Sequence, residues 1–114
     1  MKKERATATS RATRYAQLQK QLRQVGWISQ GYVQDRGPGA GGPCYQWTRK
    51  AKGKTLSVAL SQEQYHWMKE AIENWKKVQA ILKEMQQISR SELFETIPGP
   101  VRRKRLSQKV LGLK

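Results

Sequence analysis

Ser61 opens the segment that most restricts what this chain can fold into. Gln64 stands three residues on, so each side chain can bond the other's backbone N–H and cap a helix, and Leu60 and Tyr65 are placed to staple over its first turn. Tyr65, Met68, Ile72 and Trp75 then form an apolar stripe that Val78, Leu82, Met85 and Ile88 continue, with the slow phase drift of a 3.6-residue period. This pattern predicts a helix from residue 62 to about residue 90. At ~1.5 Å per residue the helix runs about 40 Å, longer than a domain of this size covers. Its far half, VQAILKEMQQI, must therefore meet the first helix, a second copy of the chain or another protein. Leu82 and Met85 are the residues assigned to such a partner contact.

Upstream, Tyr15, Leu18, Leu22 and Val25 recur at spacings of three and four, with Gly26 placed to stop the turn, so a first helix is predicted over about residues 10 to 25. Residues 27 to 33, WISQGYV, have strand composition weakened by Gly31. DRGPGAGGP, residues 35 to 43, is a loop. In CYQWTRK, Tyr45 and Trp47 alternate with Gln46 and Thr48. In TLSVAL, Leu56, Val58 and Leu60 alternate with Ser57 and Ala59. Gly53 between them supplies a positive φ, which makes a β-hairpin with Lys50, Lys52 and Lys54 around its tip. The expected architecture is α+β: an N-terminal helix, an antiparallel sheet of two or three strands and a long helix. One domain over residues 10 to 97 would lie between a flexible basic arm, residues 1 to 9, and a basic tail, residues 98 to 114. Pro98 and Pro100 break the helical pattern, and the tail carries too few apolar groups to fold alone. Removing residues 101 to 114 is expected to leave thermal stability unchanged.

Charge divides along the same lines. Of 23 Lys and Arg, 18 lie outside residues 62 to 97 with only two of the eight acids, Glu4 and Asp35, so that part carries +16 and the helical stretch −1. Cations concentrated in this way point to a polyanion, DNA or RNA, held by its phosphates. Arg49, Lys50, Lys52 and Lys54 on the hairpin and Arg102, Arg103, Lys104 and Arg105 in the tail are the candidate phosphate contacts. The three hairpin lysines serve equally as solubilisers of an edge strand. Trp47 beside Arg49 suits base stacking or a wedge against sugar. The alternative for Tyr45 and Trp47 is the inward face of a small sheet, because a chain this polar has few aliphatic residues for its core.

Other chemistries find little support. Gly53, Lys54 and Thr55 match only the end of a phosphate loop, in a hairpin tip leading to a strand and not to a helix. Cys44 and His66 are the only residues of their kinds, so neither an internal disulfide nor a closed zinc site is expected, and the lone thiol suits a reducing cytoplasm. Asp35 is the only aspartate and no serine or threonine has an identifiable base, so no enzyme, cofactor or metal is predicted. The basic N-terminus leads into polar residues, and no run of 18 apolar residues occurs, so neither secretion nor membrane spanning is expected.

The run GYVQDRGPGAGGPCYQWTRKAKGKTLSVALSQEQYHWMKEAIENWKK resembles a bacterial family of small proteins, a domain of unknown function often met beside transposon genes. The likeness covers residues 26 to about 90. It rests on a Gly-Pro step into a tyrosine-bearing strand, an Arg-Lys hairpin, a Gly-Lys-Thr strand and a long helix. It implies a helix, short strands and a long helix, with a bacterial, mobile-element association. Many relatives carry a cysteine cluster in the loop before the Gly-Pro step. Here that loop is DRGPGAGG, so their metal is not carried over.

The reading is an accessory protein that binds nucleic acid, DNA before RNA, in a mobile-element or other nucleic-acid-processing assembly. Its rivals are a structural RNA-binding component of a ribonucleoprotein and an interaction module that docks through the long helix.

Overall fold

The computed structural model describes residues 8–39, 42, 44–101 and 105–113. The architecture is α+β: α1 (Ala8–Gln24), an antiparallel sheet of β1 (Tyr32–Asp35), β2 (Tyr45–Ala51) and β3 (Lys54–Leu60) in that spatial order, α2 (Gln62–Thr96) and a short α3 (Gln108–Leu111). By contact the chain gathers into two compact units, Val25–Val78 and Met1–Gln24 with Gln79–Lys114, where the sequence reading drew a single domain over residues 10 to 97. That reading left the far half of the long helix without a fixed place, and this half is the part that gathers with α1.

In the unit of residues 25–78 the capping box forms as expected. The Ser61 N–H donates to Gln64 Oε1 at 2.9 Å, and the Gln64 N–H donates to Ser61 Oγ at 3.1 Å. The sheet is in register along its whole length, with Val33 opposite Trp47 and Trp47 opposite Val58. Lys52 and Gly53 turn the hairpin with φ of 50° and 77°, the left-handed pair that a two-residue loop between twisted strands requires. The predicted strand over 27–33 is overturned in its first five residues, since β1 begins only at Tyr32. Residues 27 to 29 are fastened to α2 instead: the Ser29 N–H donates to the Ala71 carbonyl at 3.2 Å, and Asn74 Nδ2 donates to the Trp27 carbonyl at 2.9 Å. A backbone whose polar groups are taken by a helix has none left for a sheet. Ala71, Ile72 and Val78 are buried, while Trp75 is half-buried.

In the other unit, α1 lies along the part of α2 after Gln79. Leu18 is its most enclosed residue at 1% exposure, and the helix begins at Ala8, inside the expected arm. Residues 1 to 7 lie outside the described part. Two arginines fasten α1. Arg11, buried, donates through Nε to Glu92 at 2.8 Å and through Nη1 to Glu95 at 3.0 Å. Arg14 grips Glu84 with both arms of its fork, Nε to Oε2 at 2.6 Å and Nη2 to Oε1 at 2.9 Å. The helix α2 runs past the predicted end near residue 90 to Thr96, because SELFET contains no breaker before Pro98. The tail departs from expectation too. Ser107 caps α3 by accepting from the Val110 N–H, Gly112 ends it at φ 73°, and Arg90 Nη1 donates to the Gly112 carbonyl at 3.1 Å. Residues 105–113 thus hold a short helix with no buried residue, tied to α2 through Arg90.

The hydrogen bonds from Arg11 and Arg14 hold the Glu92 and Glu84 carboxyls below their ordinary value of 4.5. The unfolded chain therefore takes up these protons first as pH falls. Their contribution to stability is complete above the unfolded value and is lost as pH drops through the lower folded values. The melting temperature should fall between about pH 5 and pH 3. Glu84→Gln should flatten that slope in a pH series of thermal melts, and an unaltered slope would show that this pair is not the cause.

Candidate nucleic-acid interface

Alternation along the strands sorts the hairpin into two faces. Tyr45, Trp47, Arg49, Lys54, Leu56, Val58 and Leu60 share one, because residues paired across β2 and β3 point the same way. Gln46, Thr48, Lys50, Thr55, Ser57 and Ala59 share the other. On the first face Tyr45 and Trp47 have separate roles. The Tyr45 ring lies 4.8 Å from that of Tyr65 in the first turn of α2, which anchors the base of the hairpin. Burial, and then the charge of Asp35, pushes its phenol above the ordinary value. Trp47 donates through Nε1 to the Gln30 carbonyl at 3.0 Å, and the Arg49 guanidinium sits 5.7 Å over its ring. Trp47 is thus held as a platform for the arginine, not offered as a free ring.

Gly31 makes that placement possible. At φ 103°, a Cβ on it would lie 2.5 Å from Trp47 Nε1 and 2.6 Å from the Thr48 carbonyl oxygen, so only glycine leaves room for the indole. Sequence reasoning took Gly31 as a weakness in a strand, and only the register with β2 reveals its use.

Beyond the platform the first face is open. Leu56 and Val58 are 40% and 47% exposed, with Arg49 and Lys54 beside them and Lys52 in the turn. Among the described residues, Arg49, Lys50, Lys52 and Lys54 make no ion pair. The one acid in the sheet, Asp35, sits at the far end of β1 and accepts from the Gly37 N–H at 3.0 Å. The register thus puts Arg49 and Lys54 on the face of Trp47, with Lys52 in the turn, while Lys50 points from the opposite face. Leu56 and Val58 belong to the Trp47 face, and their alternation with Ser57 was the signal that could have placed them there.

Arg102, Arg103 and Lys104 lie outside the described residues, and Arg105 is exposed just before α3. Leu82 is 36% exposed and Met85 half-buried, both on the length of α2 that gathers with α1. Two cations counted toward the basic footprint, Arg11 and Arg14, are engaged by α2 carboxylates. Among the described residues no group of three His, Cys, Asp or Glu could hold a metal ion, and no helix is long and apolar enough to cross a membrane. Comparison with protein-family models, with curated proteins and with solved structures finds no match. The likeness to the transposon-adjacent family therefore stands on the sequence motifs alone.

Proposed function

We propose that this chain is a cytoplasmic accessory protein, without a catalytic step of its own, that binds the phosphate backbone of DNA through the β2–β3 hairpin. What supports this reading is one arrangement: four cations, in no ion pair among the described residues, at the end of a two-stranded ribbon that contains no acid, with Arg49 and Lys54 on the same face as an apolar floor of Leu56 and Val58 and Lys50 on the other. Phosphates meet the cations, and the aliphatic floor lies against sugar or base edges. A ribbon of this width fits a major groove about 12 Å across. Arg102, Arg103, Lys104 and Arg105 are a second set of proposed phosphate contacts, resting on the charge of the sequence alone. The mobile-element setting implied by the sequence resemblance is part of the proposal.

The test is binding to duplex DNA across a salt series, with single strands and a structured RNA in parallel. Four phosphate contacts at a slope of about −0.9 each should weaken duplex binding about a hundredfold between 50 and 200 mM salt. Affinity independent of salt, or no binding at 50 mM, overturns the proposal. Stronger, equally salt-dependent binding to the RNA would move the chain to ribonucleoprotein structure.

A further inference from the structure

The most exposed aromatic surface lies away from the hairpin face, where α2 meets the segment that follows α1. Trp27 is 75% exposed and Trp67 53%, their ring centroids are 6.2 Å apart with planes inclined by 36°, and Ile28 beside Trp27 is 48% exposed. Neither ring is a loose appendage. Trp67 stands on α2, and Trp27 is fixed by the bonds from Asn74 to its carbonyl and from Ser29 to Ala71. Exposed tryptophans on a fixed backbone are the residue type that contributes most where proteins associate, and an open pair is more than the scattered apolar residue any surface carries.

The charges around the pair define what fits it. Of the six acids on α2, Glu73 pairs with Lys76, Glu84 with Arg14, and Glu92 and Glu95 with Arg11. Glu63 and Glu70 make no ion pair among the described residues, and they stand one turn before and one turn after Trp67, on its side of the helix. In a chain of +15, the two unmatched carboxylates thus frame the two open indoles. Phosphate is repelled there, so this is not an extension of the nucleic-acid surface. A cation is favoured twice, by the ring faces and by the carboxylates, and the aliphatic stem of a lysine or arginine would lie on the indoles and Ile28.

We propose that Trp27 and Trp67, framed by Glu63 and Glu70, form the docking site for a segment of a partner protein in which arginine or lysine alternates with apolar residues. Hairpin and tryptophan pair then give an accessory protein two surfaces of opposite preference, and the second stands whether or not the first binds DNA.

The experiment titrates isotope-labelled full-length protein with a short capped peptide alternating leucine and arginine, and with its twin carrying glutamate for arginine. The indole N–H signals are followed by NMR. The arginine peptide should shift Trp27 and Trp67 saturably and leave Trp47, bonded to Gln30, in place. Changing both acids, Glu63→Gln and Glu70→Gln, should weaken this about threefold to tenfold. Trp67→Ala should remove the shift at Trp27 while the Trp47 signal reports an intact sheet. Equal response to both peptides, no effect of the Glu→Gln pair, or shifts at Trp27 and Trp67 on adding duplex DNA would each overturn the proposal. So would concentration-dependent self-association abolished by Trp67→Ala, which would make a second copy the occupant.

Discussion

Exchanging all four hairpin cations, as Arg49→Gln, Lys50→Gln, Lys52→Asn and Lys54→Gln, should lower affinity for duplex DNA about a thousandfold at 150 mM salt. Each lost phosphate contact removes about 0.9 from the dependence of log K on log salt, so four flatten the slope by about 3.6. Extrapolated from 1 M, that slope amounts to about a thousandfold at 150 mM. Asparagine is chosen for Lys52 because that residue sits at φ 50°, a conformation asparagine adopts more readily than glutamine. The four side chains are exposed and make no ion pair among the described residues, so the melting temperature should stay within a few degrees of the parent. Titration of a labelled duplex at several salt concentrations reads both affinity and slope. An unchanged slope would place the contacts elsewhere, on Lys20 and Arg23 of α1 or on the tail.

The second large effect is structural and reaches the same surface. Gly31→Ala should cost about 2–6 kcal/mol: about 1–3 for holding a Cβ-bearing residue at positive φ and about 1–3 for driving that carbon into the Trp47 indole and the Thr48 carbonyl. The clash is partly with backbone, so it is not relieved by a rotamer change alone. Gly37→Ala is the control, because Gly37 has a similarly positive φ of 76° with no atom within 4 Å of an added Cβ. Urea unfolding of both variants separates strain from collision. If Gly31→Ala loses no more than Gly37→Ala, the indole is not seated as described. If it loses more, DNA binding should weaken in step, since Arg49 takes its position from Trp47.

The parts of this fold that sequence reveals are those whose cause is local. Ser61 and Gln64 reach one another within a single turn, so their capping box is written in four consecutive residues. Lys52–Gly53 sets the hairpin by its own dihedral preferences, and the stripe from Tyr65 to Ile88 follows from helical period alone. WISQ reads as strand because its composition suits one, but bonds to Ala71 and Asn74, more than forty residues away in sequence, decide otherwise. The short helix α3 was legible in principle: Ser107 and Gly112 are a cap and a stop, hidden by the surrounding charge. At the candidate interface, the cations and Trp47 could be named from sequence. The role of Gly31 and the open state of Leu56 and Val58 could not, because both depend on which strand lies opposite.

Arg11 and Arg14 bear on a question apolar packing leaves open, which is how far α1 may slide along its neighbour. Burial of leucine, tyrosine and isoleucine is non-directional, and an amphipathic helix moved by one turn of about 5.4 Å presents much the same stripe. The two arginines do not tolerate that step. Their planar forks meet carboxylates at Glu84, Glu92 and Glu95, and a shift of one turn would part Arg14 from Glu84 and leave the buried Arg11 opposite at most one of its two acids, a poorly matched enclosed charge. They act as the teeth of a key, admitting one alignment of the helical pair among several that hydrophobicity alone would accept. Lysine, a single point of charge, could not span Glu92 and Glu95 as the two nitrogens of Arg11 do. At position 11, then, the two basic residue types are not interchangeable, even though they count alike in the net charge of the chain.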